Sequence, residues 1–289
     1  MYRKSRQEII ELFQERSEKG KILAGVGTGM EQTAKHSDHT GADFLVFYHT
    51  GRLQRAGRSM LAGMLSYDDA NTIVQELGDE VLSSVRKTPV FVGVCGTDPF
   101  RNMDMFLRQL KEQGFNGVQN FPTVGIVDGR FRANMEGTDI GYRLEVDMIR
   151  TANEMDLFTC PLVFDAEQAE AMTLAGADML ILHFGLVTKS AIERGVVPSI
   201  DSCQEKMKQI LERCRNVRPN ILLCCCGQQV DCLEGAAQLL QNISDINGFF
   251  SFFPEKNETT EKGLSTHIKE YHTLNRIKRS AVRGWREYK

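Results

Sequence analysis

One stretch, VFVGVCGTDPFRNMDMFLRQLKEQGFNGVQNFPTVG (residues 90–125), decides the fold of this chain. Short apolar runs near its two ends flank a segment whose apolar residues recur at helical spacing. The runs do not alternate with polar residues, which is typical of parallel strands buried on both faces. The central segment follows Asp98-Pro99 and stops at Gly114, as helices commonly do. The stretch therefore predicts a strand–helix–strand unit of an α/β protein.

The same pattern recurs along all 289 residues, with no Pro- or Ser-rich linker to divide them. Eight such units predict one (β/α)8 TIM barrel over residues 1–289. The alternative is an open doubly wound sheet, for which eight strands would be many. An N-terminal helix (1–20) should close the bottom of the barrel, and a helical segment (255–289) should follow it. The predicted strands are 22–29, 43–51, 90–99, 117–125, 156–165, 178–185, 220–228 and 248–254.

The composition, 42% apolar and 25% charged with a net charge of −3, is that of a soluble globular protein. It gives no electrostatic reason to expect nucleic acid or an anionic membrane as partner, and we interpret the basic C-terminal tail as a solvated helix end. No apolar run approaches the ~20 residues that span a bilayer, and the first 20 residues lack the apolar region of a secretory signal. We expect a cytoplasmic protein. The amphipathic terminal segments 3–18 and 262–285 favour a homo-oligomer.

Most of the eight cysteines lie inside apolar runs, which suits reduced thiols. Cys224, Cys225 and Cys226 are consecutive on one predicted strand, so alternate thiols should point to opposite faces. We predict that they are buried by packing, without a metal.

Because the chemistry of TIM barrels lies in the loops after the strands, residues at predicted strand ends are the candidate site. His49 and His183 could each act as acid, base or metal ligand, or be hydrogen-bonded rim residues. Asp98 is a further candidate, and it could equally cap the helix that follows it. Asp165 also precedes a helix and is expected to cap it.

Substrate binding is expected from backbone and small polar groups at strand ends. The run GVGTG could bring backbone amides to an anion, or it could simply form a tight turn. It lacks the third glycine of a dinucleotide fingerprint and the Lys-Ser/Thr of a P-loop. The candidate substrate-binding residues are Gly25, Gly27, Thr28, Gly29, Asn120, Thr123 and Gly227.

The segment after the fourth predicted strand, residues 121–138, is unusually long and rich in glycine and polar residues. We predict a loop that folds over the barrel mouth and brings Glu136 or Asp128 towards Asp98, His49 and His183. The alternative is a surface excursion that packs on a neighbouring subunit. Asp98 and Glu136 could together hold Mg²⁺, which prefers one or two carboxylates, although no spacing compels this.

Three segments carry a family resemblance. They are the opening stretch extended to GVQNFPTVGIVDGRFRANMEGTDIGYRLEVDMIRTA, the run AGADMLILHFGLVTKSAI, and GKILAGVGTGMEQTAKHSDHTGADFLVFYHTGRLQRAGRSMLAGMLSYDDAN. Together they resemble the phosphoenolpyruvate hydrolase-like TIM-barrel family, from about residue 5 to about residue 275. The resemblance implies a fold related to the phosphoenolpyruvate mutase and isocitrate lyase enzymes, which bind Mg²⁺ and act on small keto- or phospho-acids.

The loops after strands seven and eight depart from the family pattern. Cys225-Cys226-Gly227-Gln228-Gln229 stands where an HGGP-like turn is expected, and SFFPEKNETTEKG replaces a small-residue loop with Ser-Met-Glu-Arg. These loops form the usual phosphate site of barrels, so their divergence weighs against a phospho-acid.

Two hypotheses follow. The first is a lyase or hydrolase acting on a small carboxylate or phospho-acid, in which Asp98, His49, His183 and Glu136 are catalytic and Asp98 with Glu136 hold Mg²⁺. The second is a catalytically silent barrel that binds a nucleotide or metabolite and acts through protein contacts.

Overall fold

Nine parallel strands form a single sheet in the computed structural model, which describes residues 3–185, 193, 197–243, 245–252 and 263–274. The order across the sheet is β5-β4-β3-β2-β1-β9-β8-β7-β6. The strands are β1 (Leu23–Thr28), β2 (Phe44–Phe47), β3 (Val90–Val94), β4 (Gly117–Asn120), β5 (Phe158–Thr159), β6 (Leu162–Val163), β7 (Met179–His183), β8 (Leu222–Cys226) and β9 (Gly248–Phe252).

The two edge strands, β5 and β6, are halves of one interrupted strand, because only Cys160 and Pro161 separate them. The Cys160 amide donates to Val118 O on β4 at 3.1 Å, and the Ile181 amide on β7 donates to Pro161 O at 2.9 Å. This one segment therefore bonds to both ends of the sheet and closes it into a barrel of eight strand positions. The predicted TIM barrel is confirmed, and the open sheet was the wrong alternative.

The helices lie between the strands, as the sequence predicts. They are α1 (Arg6–Glu18), α2 (Glu31–Thr40), α3 (Gly51–Arg55), α4 (Ala70–Ser84), α5 (Met103–Gln113), α6 (Gly129–Gly137), α7 (Tyr142–Glu154), α8 (Ala166–Leu174), α9 (Ile200–Val217), α10 (Leu233–Asn242) and α11 (263–274). Two 3₁₀ helices span Met60–Met64 and Val124–Ile126. Helix α11 lies within the predicted C-terminal segment (255–289), whose other residues are outside the described ones.

The helix caps test two predictions. Asp165 is the N-cap of α8 and accepts from the Gln168 amide at 2.8 Å, as expected. The expectation that Asp98 caps the next helix is wrong, because α5 begins at Met103 with Asn102 as its N-cap. The Asp98 side chain instead accepts from the Phe100 amide in the turn before the helix.

Residues 121–138 are not a loop, contrary to the prediction. The segment holds the short Val124–Ile126 helix and then α6. An (i, i+4) ion pair between Arg132 and Glu136, with 2.6 Å between Nε and Oε1, supports α6 locally. No residue of α6 is buried, so the sequence carries none of the apolar periodicity that would have revealed the helix.

Aromatic rings fill the barrel interior. The ring centroids of Phe91 and Phe158 are 4.8 Å apart, and those of Phe44 and Phe250 are 5.8 Å apart. A Cβ atom on Gly25 would lie 2.1 Å from the Phe44 ring, so this position must be glycine to admit the ring. The glycines of β1 thus make room for the interior rings, which is a packing role.

Helix α1 closes the bottom of the barrel, as expected. Ile9, Ile10 and Phe13 are buried in the same cluster as the interior rings. The Phe13 ring packs edge-on against Phe158 with 5.6 Å between centroids. Burial of this apolar face on the strand ends removes the open lower end of the barrel from water.

A ring of four polar residues connects α1 and the residues around it to the strands. Each ring residue directly precedes a strand, and its side-chain oxygen accepts from the backbone amide at or near the start of a neighbouring strand. The four pairs are Asp43 with Ala24, Asn116 with Val90, Asp178 with Thr159, and Asn247 with Leu223. Towards α1, the same four side chains contact Arg16, Lys4 O, Arg6 and Ser17, respectively. This polar ring fixes the register at the lower end.

The consecutive cysteines of β8 alternate between the two faces, as predicted. Cys224 and Cys226 lie in the interior cluster, Cys225 lies between the strands and the helices, and all three are fully buried. Burial raises the pKa of each thiol. None of the helices in the described part of the chain has both the length and the apolar character for a bilayer crossing.

Candidate functional site

A cavity of about 520 Å³ opens at the carboxyl ends of the strands, and we call it the mouth cavity. Its walls are mostly apolar, and the rings of Phe121 and Phe252 continue the aromatic filling of the barrel interior. The residues used below to define it are Phe121, Leu162, Phe164, His183, Asp231 and Phe252. Two titratable side chains, a histidine and a carboxylate, therefore face one apolar space.

His183 ends β7 and is held by its neighbours in one tautomer. Its Nδ1 accepts from the Gly185 amide at 2.9 Å, so the proton of the neutral ring is on Nε2. The ring lies 5.3 Å from that of Phe164 and 6.0 Å from that of Phe252. Burial, with a smaller effect from the charge of Lys206, lowers the pKa of His183 to about 4. At neutral pH the residue is a hydrogen-bond donor without charge.

Asp231 follows β8 and is exposed towards the cavity, yet the protein surrounds its carboxyl closely enough to raise its pKa to about 6. Ser251 of β9 donates to Oδ1 at 3.3 Å. The Ser251 hydroxyl also lies 2.7 Å from His267 Nε2 and 3.0 Å from the Tyr271 hydroxyl, both on α11. Asp231 is thus joined to a buried polar cluster between β9 and α11.

His49, at the end of β2, does not line the mouth cavity. Its Nε2 donates to Gly63 O at 3.1 Å, so Nδ1 is the free acceptor, and it is buried without a hydrogen-bond partner. Burial lowers the pKa of His49. The side chain anchors the segment after α3, which is a structural role different from the catalytic one that we expected.

The turn after β4 is organised by Glu145 of α7, which is fully buried. Its carboxylate accepts from Asn120 Nδ2 at 2.6 Å, from Thr123 Oγ1 at 2.6 Å and from the Val124 amide at 2.7 Å. Burial raises the pKa of Glu145 to about 7 despite these three donors. Asn120 Oδ1 also accepts from the Leu162 amide at 2.6 Å. The polar groups of Asn120 and Thr123 are therefore hydrogen-bonded within the turn, although Thr123 still lines the cavity.

Sequence reasoning missed Glu145, although a signal existed. Glu145 lies three residues after Tyr142 and four before Ile149, and both of these are buried on the inner face of α7. A carboxylate on an apolar helical face must find donors. Asp231 gave no comparable signal, because it sits in an irregular turn, GQQVDC, beyond the strand end.

Asp98 and Glu136 each face an arginine. Asp98 accepts from Asn71 Nδ2 at 2.9 Å and lies 3.3 Å from Arg101 Nε. Glu136 is exposed, pairs with Arg132 and accepts from the Tyr142 amide at 3.1 Å. No described contact joins the two carboxylates. Asp128, the N-cap of α6, is also exposed.

The glycine-rich end of β1 lies below the cavity. Gly25 and Gly27 are covered by interior rings, and Gly29 approaches Gly51 so closely that a Cβ would be 2.2 Å from its amide nitrogen. Thr28 Oγ1 accepts from the Met30 amide at 3.0 Å. These residues shape the turn into α2. Gly227, by contrast, lines the mouth cavity with a φ of 129° that favours glycine.

The structure thus gathers three of the predicted site residues, His183, Thr123 and Gly227, around the mouth cavity. Carboxyl-end cavities of parallel βα barrels are where the enzymes of this architecture bind their ligands. The fold and the cavity define a barrel of that class. The chain belongs to the family described as phosphoenolpyruvate hydrolase-like, which matches residues 8–274.

Relatives of known sequence and structure extend this finding. The chain is 39% identical over 267 residues to the ToMV susceptible protein tm-1(GCR26) of Solanum lycopersicum. That match covers 92% of this chain and 35% of the tomato protein, so the chain spans about a third of its relative's length. The sequence it shares with this relative is therefore one part of a larger protein there.

Solved structures are similar in fold at low sequence identity. The α subunit of tryptophan synthase from Legionella pneumophila has a TM-score of 0.58 at 13% identity, covering 95% of this chain and 99% of that one. A phosphonopyruvate hydrolase in complex with oxalate and Mg²⁺ has a TM-score of 0.54 at 12% identity, covering 94% and 87%. At such identities the likeness concerns the barrel alone.

The two carboxylates expected to hold Mg²⁺, the ion in the phosphonopyruvate hydrolase structure, do not form a pair in this barrel. Mg²⁺ needs carboxylate oxygens that are free to face it, and those of Asp98 and Glu136 are bound to arginines. Within the described ranges, no group of three or more His, Cys, Asp or Glu side chains could hold a metal ion. The predicted Asp98–Glu136 metal pair has no structural support, and no chemical step below uses a metal.

Proposed function

We propose that the mouth cavity is the active site of an acid–base enzyme of the lyase or hydrolase type that acts on an organic acid. The observation that carries this proposal is the pair of His183 and Asp231 in one apolar cavity. The pKa of His183 is lowered to about 4 and that of Asp231 is raised to about 6. A neutral donor beside a carboxylate whose pKa lies near neutrality is the arrangement that acid–base catalysis uses.

The roles follow from the protonation states. Nε2–H of His183 donates to a carbonyl oxygen of the substrate and stabilises negative charge that develops there. Asp231, as carboxylate, removes the proton of a hydroxyl group on the carbon β to that carbonyl. The electrons of the O–H bond form a new C=O bond and the bond between the α and β carbons breaks. Its electrons pass towards the first carbonyl, giving an enolate and releasing a second carbonyl compound. The protonated Asp231 then returns the proton to the enolate carbon. Phe164 and Phe252 lie beside His183 and shield its ring from water, which strengthens the hydrogen bond that it donates.

Membership in the phosphoenolpyruvate hydrolase-like family supports this class of chemistry, and the barrel's structural relatives include a hydrolase of a small acid. A second candidate is a barrel that binds a metabolite without turnover. The engagement of Asp98, Asn120 and Glu136 with other protein groups favours it, because few strand-end side chains are then left for substrate.

The test is turnover of a panel of 2-oxo acids that carry a hydroxyl group at C4, followed by NMR, for the parent chain and for Asp231→Asn. We expect the variant to lose about 10²- to 10⁴-fold in rate. Asp104→Asn, an exposed aspartate on the first turn of α5, is the matched control and should keep full rate. Full activity of Asp231→Asn would contradict the proposal. Binding of an acid with no turnover by any form would support the silent barrel.

A further inference from the structure

A second cavity adjoins the mouth cavity. It has a volume of about 750 Å³, and we call it the side cavity. Leu61, Thr123 and Ile126 line both cavities, so the two spaces meet at these three residues. Beyond this passage the side cavity runs between the 3₁₀ helix Met60–Met64 and α6.

Most of the wall of the side cavity is apolar. Its walls include Met64, Leu65, Val124, Val127, Phe131 and Met135. Leu65 is 58% exposed and Phe131 is 66% exposed, which is unusual for side chains of this size. Exposed apolar side chains gathered along a groove mark binding sites rather than ordinary surface.

The charges around both cavities do not match a phospho-acid. None of the described residues that line either cavity is lysine or arginine, and Lys206, whose charge reaches His183, is not among them. The side cavity has Asp68, Asp69 and Asp98 on its wall instead. A phosphate group carries about twice the charge of a single carboxylate, so it would lose more hydration there without gaining a cation, which is costly.

We propose that the two cavities form one site for an extended, largely apolar acid. Its polar head binds at His183 in the mouth cavity, and its aliphatic or aromatic tail passes between Leu61 and Ile126 into the side cavity. This inference rests on the proposed function only for the position of the head. It names a substrate class with a long apolar body, in contrast to the oxalate bound in the related hydrolase.

The first experiment is calorimetry with straight-chain 2-oxo acids, from pyruvate to chains of about ten carbons. Each methylene that enters an apolar wall adds affinity, up to about fourfold per group. We expect the affinity to rise with length and to level off once the side cavity is filled. Asp231→Asn should keep this length dependence, because the tail does not touch that residue.

The second experiment narrows the passage with Leu61→Trp. Leu61 is 39% exposed on a short helix, so a larger side chain can be accommodated without disturbing the fold. We expect the affinity for long acids to fall at least tenfold more than the affinity for pyruvate. The matched control is Leu174→Trp, at an exposed leucine on α8. This substitution should change neither the affinity for long acids nor the affinity for pyruvate.

Several results would overturn the inference. They are no binding by any acid, an affinity that does not depend on chain length, tighter binding of phosphoenolpyruvate with Mg²⁺ than of long acids, or a Leu61→Trp effect equal for all lengths. A dimer that Leu61→Trp dissociates, with no acid bound, would assign the groove to a second copy. Length-dependent binding of the straight-chain acids, with no turnover of the hydroxy-oxo acids, would refute only the proposed function, and turnover without length dependence would refute only this inference.

Discussion

Single side chains in this barrel owe their chemistry to burial. The pKa of His183 falls and those of Asp231 and Glu145 rise for the same reason, since taking a group out of water disfavours its charged form. The mouth cavity therefore holds a histidine that does not protonate until about pH 4 and a carboxyl that ionises near pH 6. The sequence indicated His183 by its position at a strand end, but it could not indicate the burial that sets its charge.

Burial raises the pKa of Asp231, and Ser251 partly opposes this effect. Its hydroxyl is a donor to the carboxylate and so lowers the pKa against the effect of burial. We predict that Ser251→Ala raises this pKa by about one unit, since a hydrogen bond to a charged group contributes about that much. The base is active when ionised, so activity should be lost at a higher pH as the solution is acidified.

The measurement is the pH dependence of turnover, or a carboxyl NMR titration where no substrate is in hand. Ser83→Ala, at an exposed serine of α4, is the control and should leave the pKa of Asp231 unchanged. An unchanged pKa in Ser251→Ala would show that the Ser251 hydroxyl donates to His267 or Tyr271 instead.

Glu145 makes stability depend on pH. Its pKa is about 7 in the folded chain against 4.5 in the reference state, so the folded state holds the proton more tightly. This contribution is fully present below pH 4.5 and is lost as the pH rises through 7. We predict that Glu145→Gln is more destabilising at pH 5 than at pH 8, by about 2 kcal/mol. Urea unfolding of both forms at the two pH values gives the difference in unfolding free energy. If that difference is the same at pH 5 and pH 8, the pKa of Glu145 in the folded chain is close to its reference value.

At the level of elements, apolar runs predicted every strand position, and helical spacing predicted most helices. These signals work because strands and helices must bury one face. The signal fails for α6, which has no fully buried residue. It also fails at the start of α5, where Asp98-Pro99 suggested a cap that Asn102 supplies. The interruption of strand five at Pro161 could be seen in the sequence as a proline inside an apolar run.

The junction of α1 with the barrel depends on the buried Asp178. Arg6 Nε and Nη2 lie 2.9 and 2.8 Å from its two oxygens, and Arg218 lies 3.3 Å away. We predict that Asp178→Asn costs about 2–3 kcal/mol of unfolding free energy, because it leaves two guanidinium groups opposite a neutral amide. Denaturant unfolding measures this cost.

Asp156→Asn is the matched control for that measurement. Asp156 lies 3.9 Å from the same arginine, but its side chain is 62% exposed. Exposed ion pairs contribute little, so the cost should stay below about 1 kcal/mol. Equal losses in the two variants would mean that α1 is held by its apolar face alone.

For the whole molecule, the barrel could be predicted from the sequence while much of the site could not. Eight repeated units determine the closed sheet, because the number and order of units leave few other topologies. A site depends on which side chains remain free after the fold has used the others. Asn120, Asp98 and His49 have the right chemistry and position, yet each is engaged by neighbours that are distant in sequence.

Self-association is a prediction at this scale that rests on the sequence. The amphipathic segments 3–18 and 262–285 suggested a homo-oligomer. In the structure, however, the apolar residues of α1 pack against the lower end of the barrel. The apolar face of α1 is thus not free for association, residues 275–285 lie outside the described ones, and the exposed Phe100 is a further candidate surface. Sedimentation at micromolar concentration should give a mass above 32.6 kDa, and a monomer would contradict the expectation.

The polar ring at the bottom also bears on the ancestry of the chain. The tripeptide Gly-Ala-Asp stands before β2 and again before β7, and Asn-Gly stands at the start of β4 and again at the start of β9. Strand positions two and six are thus preceded by the same tripeptide, which supplies an aspartate to the polar ring. Positions four and eight share the dipeptide that supplies an asparagine to it. This repeat after half a turn of the barrel is a local two-fold symmetry, and it is what duplication of a four-stranded precursor would leave behind.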